Sequence, residues 1–274
     1  MKIQKGDIVG RKSYGKDIIF VVDRVLTMVD NTSFAILKGM TVRIEADAPI
    51  DDLEVIDKRI ADENMNYVEN IINEKVKQIK KNSRAIAQAE AICTGRILHL
   101  DGDRRYSEKA ARYYRKLGLN AVVKNISENR QPETVLSLLR KYNPDILVIT
   151  GHDAMIKNGR NYNNIYNYRN SRYFINTVKE ARKWEKGSES LVIFAGACQS
   201  FFEAIMEAGA NFASSPGRIL IDFVDPIIVA EKIAITDEYI YISGYEIARE
   251  IKEGIRSIGG TGAKGKKKRI EKFS

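Results

Sequence analysis

The chain has 274 residues, of which 44% are hydrophobic, and a formal net charge of +9. That is enough apolar material for a large core. Its longest apolar runs are of strand length, far short of the roughly 20 residues that cross a bilayer, so membrane insertion is not expected. Two cysteines and two histidines exclude a disulfide framework and leave too few ligands for a structural zinc, so neither a metal nor another cofactor is expected.

The start, "MKIQKGDIVGRKSYGKD", has neither a continuous apolar segment nor a small-residue cleavage site, which predicts no signal peptide and an intracellular protein. Residues 1–57 alternate short apolar runs with glycine and proline punctuation, the pattern of a small β-barrel-like module. From 58 to 91 the pattern changes: Ile60, Met65, Val68, Ile71, Ile72, Val76 and Ile79 recur at helical spacing, predicting a helical linker. Residues 92–258 then alternate strands and helices. "RILHL" precedes a helix from Ser107 to Leu117, and "NAVVKNI" precedes one with Pro132 in its first turn. "DILVIT" leads to a helix from Ser171 to Trp184, "SLVIFAG" to one from Gln199 to Ala208, and "NFASS" supplies a further strand. Apolar strands buried on both faces and separated by helices predict an α/β domain with three layers around a mostly parallel sheet. Residues 259–274, with "AKGKKKRIEK", predict a basic, solvated and disordered tail. No aromatic residue interleaves with that run, so nucleic acid is not expected as a partner.

In an open parallel sheet, sites form beyond the carboxyl ends of the strands. "RILHLDGD" delivers Asp101 and Asp103 there, "DILVITGHD" delivers His152, and "SLVIFAGACQS" delivers Cys198. Glycine stands directly before His152 and one residue removed from Cys198, allowing tight turns. A cysteine and a histidine at two strand tips make a candidate nucleophile and its proton partner. Cys198 also stands before a predicted helix, whose start favours a thiolate and whose unpaired N–H groups suit an oxyanion. Gly151, Asp153 and Ala197 are the candidate oxyanion or orienting positions. Other cysteine chemistries fail on spacing. Phe201 stands where a C-x-x-C pair needs its second cysteine, and Ala204 where a thiol phosphatase needs arginine. Both histidines precede Cys198, opposite to papain-like peptidases and class I glutamine amidotransferases. His99, inside its strand, reads as a core or supporting residue, and Cys93 as structural.

An apolar block ending in histidine and a second ending in Ala197-Cys198 resemble the caspase-like, clan CD cysteine peptidases. One position departs: Asp153 follows His152 where that clan has glycine. This resemblance implies a sheet of caspase/hemoglobinase type and an oxyanion contact from the residue after the histidine. Nearly the whole chain resembles the YabG family of sporulation-specific peptidases. "KGDIVGRKSYGKDIIF", "HLDGDRRY", "PDILVITGHDA" and "AGACQSFFEAIMEAGANFASSPGRILIDFVDPIIVAEKIA" carry that resemblance, in this order. It implies a cysteine endopeptidase of the mother cell and spore coat that cuts spore coat and cortex-related proteins after basic residues, chiefly arginine. Cys198 and His152 are then its Cys-His dyad.

A basic substrate side chain needs a carboxylate, and the candidates are Asp101, Asp103, Asp222 and Asp225. An arginine-directed protease is also expected to trim its own tail or linker, with Arg104-Arg105 and the 264–269 cluster among the basic sites it exposes. Two readings from other classes remain. One is a non-catalytic α/β binding module that docks on coat proteins or an anionic polymer through its N-terminal module and basic tail. The other is a metal-dependent hydrolase using the "DGD" carboxylates.

Overall fold

The computed structural model describes residues 3–86, 91–156, 161–184 and 190–270. Residues 87–90 of the expected linker, 271–274 of the expected tail, and the side chains of Val68 and Ile79 lie outside that description.

Five strands open the chain: β1 (Ile8–Arg11), β2 (Phe20–Thr27), β3 (Ser33–Gly39), β4 (Glu45–Pro49) and β5 (Leu53–Val55). They form one antiparallel sheet in the order β4-β3-β2-β1-β5, with β4 and β5 as its two edges. Val9, Phe20, Val22, Ala35, Leu37, Ala48 and Leu53 bury together as its own core. Helix α1 (Lys58–Ile86) follows. Met65, Ile71, Ile72 and Val76 turn one stripe of it onto the larger core, whereas Ile60 in its first turn is exposed.

The rest of the chain builds a six-stranded sheet. In chain order its neighbourhood contains β6 (Ala91–Cys93), β7 (Ile97–Asp101), α2 (Arg104–Lys116), β8 (Ala121–Asn125), α3 (Gln131–Tyr142), β9 (Ile146–Thr150), α4 (Ser171–Trp184) and β10 (Val192–Ala195). Then come α5 (Phe202–Glu207), β11 (Phe212–Ser214), α6 (Asp225–Ile235), β12 (Tyr241–Ile242), α7 (Gly244–Ala248), β13 (Ile258–Gly260), β14 (Ala263–Lys264) and β15 (Lys268–Ile270). The sheet order is β13-β11-β10-β9-β7-β8, parallel throughout except for β13 at one edge. Successive strand residues point to opposite faces. Ile97, Ile146, Val148, Val192 and Phe194 therefore pack with α1, α2 and α6 on one face. Leu98, Leu147, Ile149, Ile193 and Ala195 pack with α3, α4 and α5 on the other. No described helix is long and apolar enough to cross a membrane.

Two expectations are corrected here. The stretch from 259 onward is not a free tail as far as residue 270. β13 pairs with β11 in the main sheet, β14 with β12, and β15 with β6. Its charges mislead because backbone pairing holds these two- and three-residue strands, helped by Ile258 and Ala263, which are buried in the larger core. Helix α5 also starts later than expected, at Phe202, so Cys198 lies four residues before it and outside its first turn.

Candidate active site

The carboxyl ends of β7, β9 and β10 lie side by side, because β9 pairs with β7 on one side and β10 on the other. This register sets Asp101, His152 and Cys198 along one edge of the sheet. Gly196 makes the turn after β10 with φ +114°, a conformation costly for any other residue. Gly151 makes room for a different group: a Cβ there would come within 2.2 Å of the Glu128 carboxylate, which would have to move aside.

Into this edge the N-terminal sheet inserts an arginine. The loop between β3 and β4 is pinned by Tyr106, whose hydroxyl donates to the carbonyls of Gly39 (2.6 Å) and Val42 (2.9 Å). Arg43, at the tip of this loop, is fully buried. Its Nη1 donates to Asp101 Oδ2 at 2.8 Å and to the Gly151 carbonyl at 3.4 Å, and Nη2 donates to the Phe223 carbonyl at 3.1 Å. The guanidinium also lies 4.9 Å from the centre of the Tyr106 ring. Its carbonyl oxygen accepts two backbone N–H groups, from Asp153 at 3.2 Å and from Cys198 at 3.3 Å.

Asp101 is held by more than the arginine. Thr150 Oγ1 donates to it at 3.0 Å and the Asp103 amide at 2.9 Å, while His99 Nε2 lies 3.6 Å away. His99 in turn bonds Tyr114 and Thr150, a supporting place inside the core. Burial alone would raise the Asp101 carboxyl, but the Arg43 charge and the nearby His99 ring hold it well below the usual carboxylate range.

His152 is fully buried, stacks on Tyr106 at 5.2 Å, and has its Nε2 3.7 Å from Asp103 Oδ2. Neither ring nitrogen has a hydrogen-bond partner among the described residues. Burial pushes the imidazole down to about 3 against the pull of Asp103, so it is neutral over the physiological range. Cys198 is equally buried, and its Sγ accepts from the Ile221 amide at 3.0 Å. Burial pushes this thiol above its ordinary value, opposite to the effect expected from a helix start.

Asp153 does not orient His152. Its carboxylate accepts from the Ala154 amide (2.9 Å), the Asn170 amide (2.8 Å), Ser200 Oγ (2.9 Å) and Ser171 Oγ. Ser200 Oγ accepts in turn from the Ala197 amide at 2.9 Å. Asp153 thus ties the loop after β9 to the loop after β10, and the N–H of Ala197 is directed at Ser200. Burial raises the Asp153 carboxyl to about 6 despite these donors.

The other three candidate carboxylates do not pair with Arg43. Asp103 caps α2 through the Arg105 amide at 2.7 Å and pairs with the Arg105 guanidinium at 2.9 Å. Asp225 opens α6 and accepts from Ser257 Oγ at 2.8 Å. Asp222 forms an antiparallel bridge with Val42, so it meets the inserted loop through its backbone. Of the four candidates only Asp101 pairs with the buried guanidinium. Cys93 is exposed rather than packed.

Sequence reasoning missed Arg43, Tyr106, Glu128, Ser171 and Ser200. Only Glu128 carried a usable signal, since it too stands just beyond a strand end, that of β8. Its Oε1 accepts from the His152 amide at 2.8 Å, and burial raises the carboxyl to about 7. Between its unfolded value near 4.5 and about 7, the folded chain holds a proton that the unfolded chain has released. Stability is therefore lost as pH rises through this window. Glu128→Gln keeps the acceptor and removes the titration. Urea unfolding at pH 5 and pH 8 is expected to show the variant gaining roughly 3 kcal/mol on wild type at the higher pH. Parallel pH profiles for the two proteins would contradict this.

The family model described as YabG peptidase U57 matches residues 4–271. The sporulation-specific protease YabG of Bacillus subtilis (strain 168) is 36% identical over 282 residues, which covers 97% of this chain and 96% of that protein. No solved structure matches the chain. The N-terminal sheet, the mostly parallel sheet and the strand-end loops that carry Cys198 and His152 all lie within one continuous family match, and the chain belongs to the YabG peptidase U57 family.

Proposed function

We propose that the chain is a cysteine endopeptidase that cuts after arginine, with Cys198 as nucleophile and His152 as the group that moves the proton. The observation that carries this reading is the setting of Arg43: guanidinium on Asp101, carbonyl oxygen on the amides of Cys198 and Asp153. Two convergent N–H groups on one carbonyl are the arrangement that stabilises the oxyanion of acyl transfer. A caspase-type sheet is supported by the parallel order of β7, β9 and β10 and by helices on both faces. The name of the Bacillus subtilis relative supports a role in sporulation. We infer spore coat and cortex-related proteins as the substrates, and the mother cell and spore coat as the place of action.

In this mechanism Cys198 Sγ attacks the carbonyl carbon of the arginine, and the oxyanion is held by the Asp153 and Cys198 amides. His152, neutral at rest, carries the thiol proton to the leaving amine and then takes a proton from the water that opens the thioester. Cys198 and His152 need not be hydrogen-bonded to each other at rest for this role. Asp101 selects the side chain: a planar guanidinium spans Asp101, Gly151 O and Phe223 O at once, which a lysine ammonium does not.

The test is hydrolysis of matched arginyl, lysyl and aspartyl peptides by wild type and Cys198→Ala. Wild type is expected to prefer arginine, and Cys198→Ala to lose on the order of 10⁴-fold or more in kcat. Equal rates for the two proteins would overturn the cysteine mechanism, and equal rates for arginyl and aspartyl peptides would overturn the specificity.

A further inference from the structure

We propose that the chain's own Arg43–Ile44 bond is a cleavage site of its active site, so that residues 40–45 act as a built-in first substrate. This rests on the arginine-directed reading above and adds the identity of the bond.

Residues 41–45 are gripped by their main chain from both sides. The Phe223 amide donates to Thr41 O (2.9 Å), and the Arg43 amide donates to Ile221 O (2.9 Å). Beyond the arginine, the Glu45 amide donates to Asp153 O (3.3 Å). Val42 bridges Asp222 in antiparallel sense and Ile44 bridges Asp153 in parallel sense. This is how an extended peptide is added as a strand to a receptor, with the main chain supplying affinity and one side-chain pocket supplying specificity.

A purely structural arginine would account for the ion pair with Asp101. It would not account for a carbonyl oxygen placed on the amide of the candidate nucleophile and on that of the residue after the candidate proton carrier. The pocket is also imperfect as a structural core, because Arg43 Nε is buried without a hydrogen-bond partner. An unpaired buried donor is costly in a permanent core contact. The exposed basic runs named from sequence lack this setting: Arg104 is paired with Glu108 on α2.

The chemistry balances with water as the only co-reactant. Cys198 Sγ forms a thioester with the Arg43 carbonyl carbon, the bond to Ile44 N breaks, and that nitrogen leaves with the proton carried by His152. Water then opens the thioester, giving a carboxyl group on Arg43 and restoring the thiol. The products are 1–43 and 44–274. They remain associated, because β3 and β4 flank the cut and pair from Phe34↔Pro49 to Lys38↔Glu45.

Freshly purified wild type, Cys198→Ala and Arg43→Gln are followed by denaturing intact-mass measurement, with N-terminal sequencing and an arginyl peptide assay on the same samples. Wild type is expected to convert to 1–43 and 44–274, with a new N-terminus at Ile44, while native size is unchanged. Cys198→Ala is expected to stay whole, and Arg43→Gln to stay whole at this bond. Peptide hydrolysis by wild type is expected to rise as the cut proceeds. Because Arg43→Gln leaves Asp101 without its cation and could fold poorly, the decisive measurement is made on wild type itself. A wild-type chain that hydrolyses the peptide at full rate while whole at 43–44 overturns this proposal and leaves the arginine-directed reading standing. A whole chain that does not cut the peptide, or peptide cutting that Cys198→Ala retains, overturns both.

Discussion

Asp101→Asn is expected to lower kcat/KM for arginyl peptides by about 10²–10³-fold and to destabilise the uncut chain by about 3–5 kcal/mol. Both effects have one cause. Asp101 is the only carboxylate paired with the buried Arg43 guanidinium among the described residues, and a substrate arginine would occupy the same place. Removing one partner of a buried pair leaves the other charge without compensation, which costs more than the intact pair contributes. Gly151 O and Phe223 O remain as neutral acceptors and prevent complete collapse of the pocket.

Urea unfolding in the Cys198→Ala background keeps the chain whole while stability is measured. Adding Arg43→Gln to Asp101→Asn is expected to recover part of the loss, since the stranded charge is then gone. The pair's contribution depends on an Asp101 carboxyl held below its ordinary value. It is therefore full above the unfolded value near 4 and is lost as pH falls further. A variant with unchanged stability and unchanged preference for arginine would remove Asp101 from the specificity pocket.

The second large effect concerns thiol reactivity. In His152→Ala, which keeps the thiol but lacks the proposed proton carrier, iodoacetamide is expected to add one label per native chain, at exposed Cys93. Cys198 is expected to react on the order of 10³-fold more slowly, because only the thiolate reacts and burial raises this thiol. The Arg43 loop lies over it: Cys198 N bonds Arg43 O, and its Sγ is held between the amide and carbonyl of Ile221. Guanidinium chloride is expected to release the second site at once. Peptide mapping of the labelled chain checks this, and rapid labelling of Cys198 in the native chain would show that the site is open without displacement of the loop.

Much of the sheet was legible because buried parallel strands must be apolar on both faces. "RILHL", "DILVIT" and "SLVIFAG" are continuous apolar runs for that reason, and their ends carry Asp101, His152 and Cys198. Helix α4 matches its expected span from Ser171 to Trp184, since its apolar stripe and Ser171 start are local features. Gly196 was readable as a turn glycine because a positive φ is a local demand of the chain.

What the tertiary structure alone decided is the electrostatic state of the site and its occupant. Cys198 stands close in sequence to a helix, yet its environment is set by Ile221 and Arg43, far away in the chain. Asp153 adjoins His152 in sequence, yet its carboxylate turns to Ser171 and Ser200, because neighbouring residues at a strand end face opposite ways. The basic stretch after 258 takes strand form by pairing with β11, β12 and β6, contacts that no local propensity announces. Arg43 meets Asp101, Gly151 and Phe223 across 58, 108 and 180 residues. Sequence by itself determined the strand tips and the groups they carry, because burial and turn chemistry act over a few residues. Only the packing of the N-terminal sheet against those tips decided which arginine fills the pocket and which carboxylate meets it.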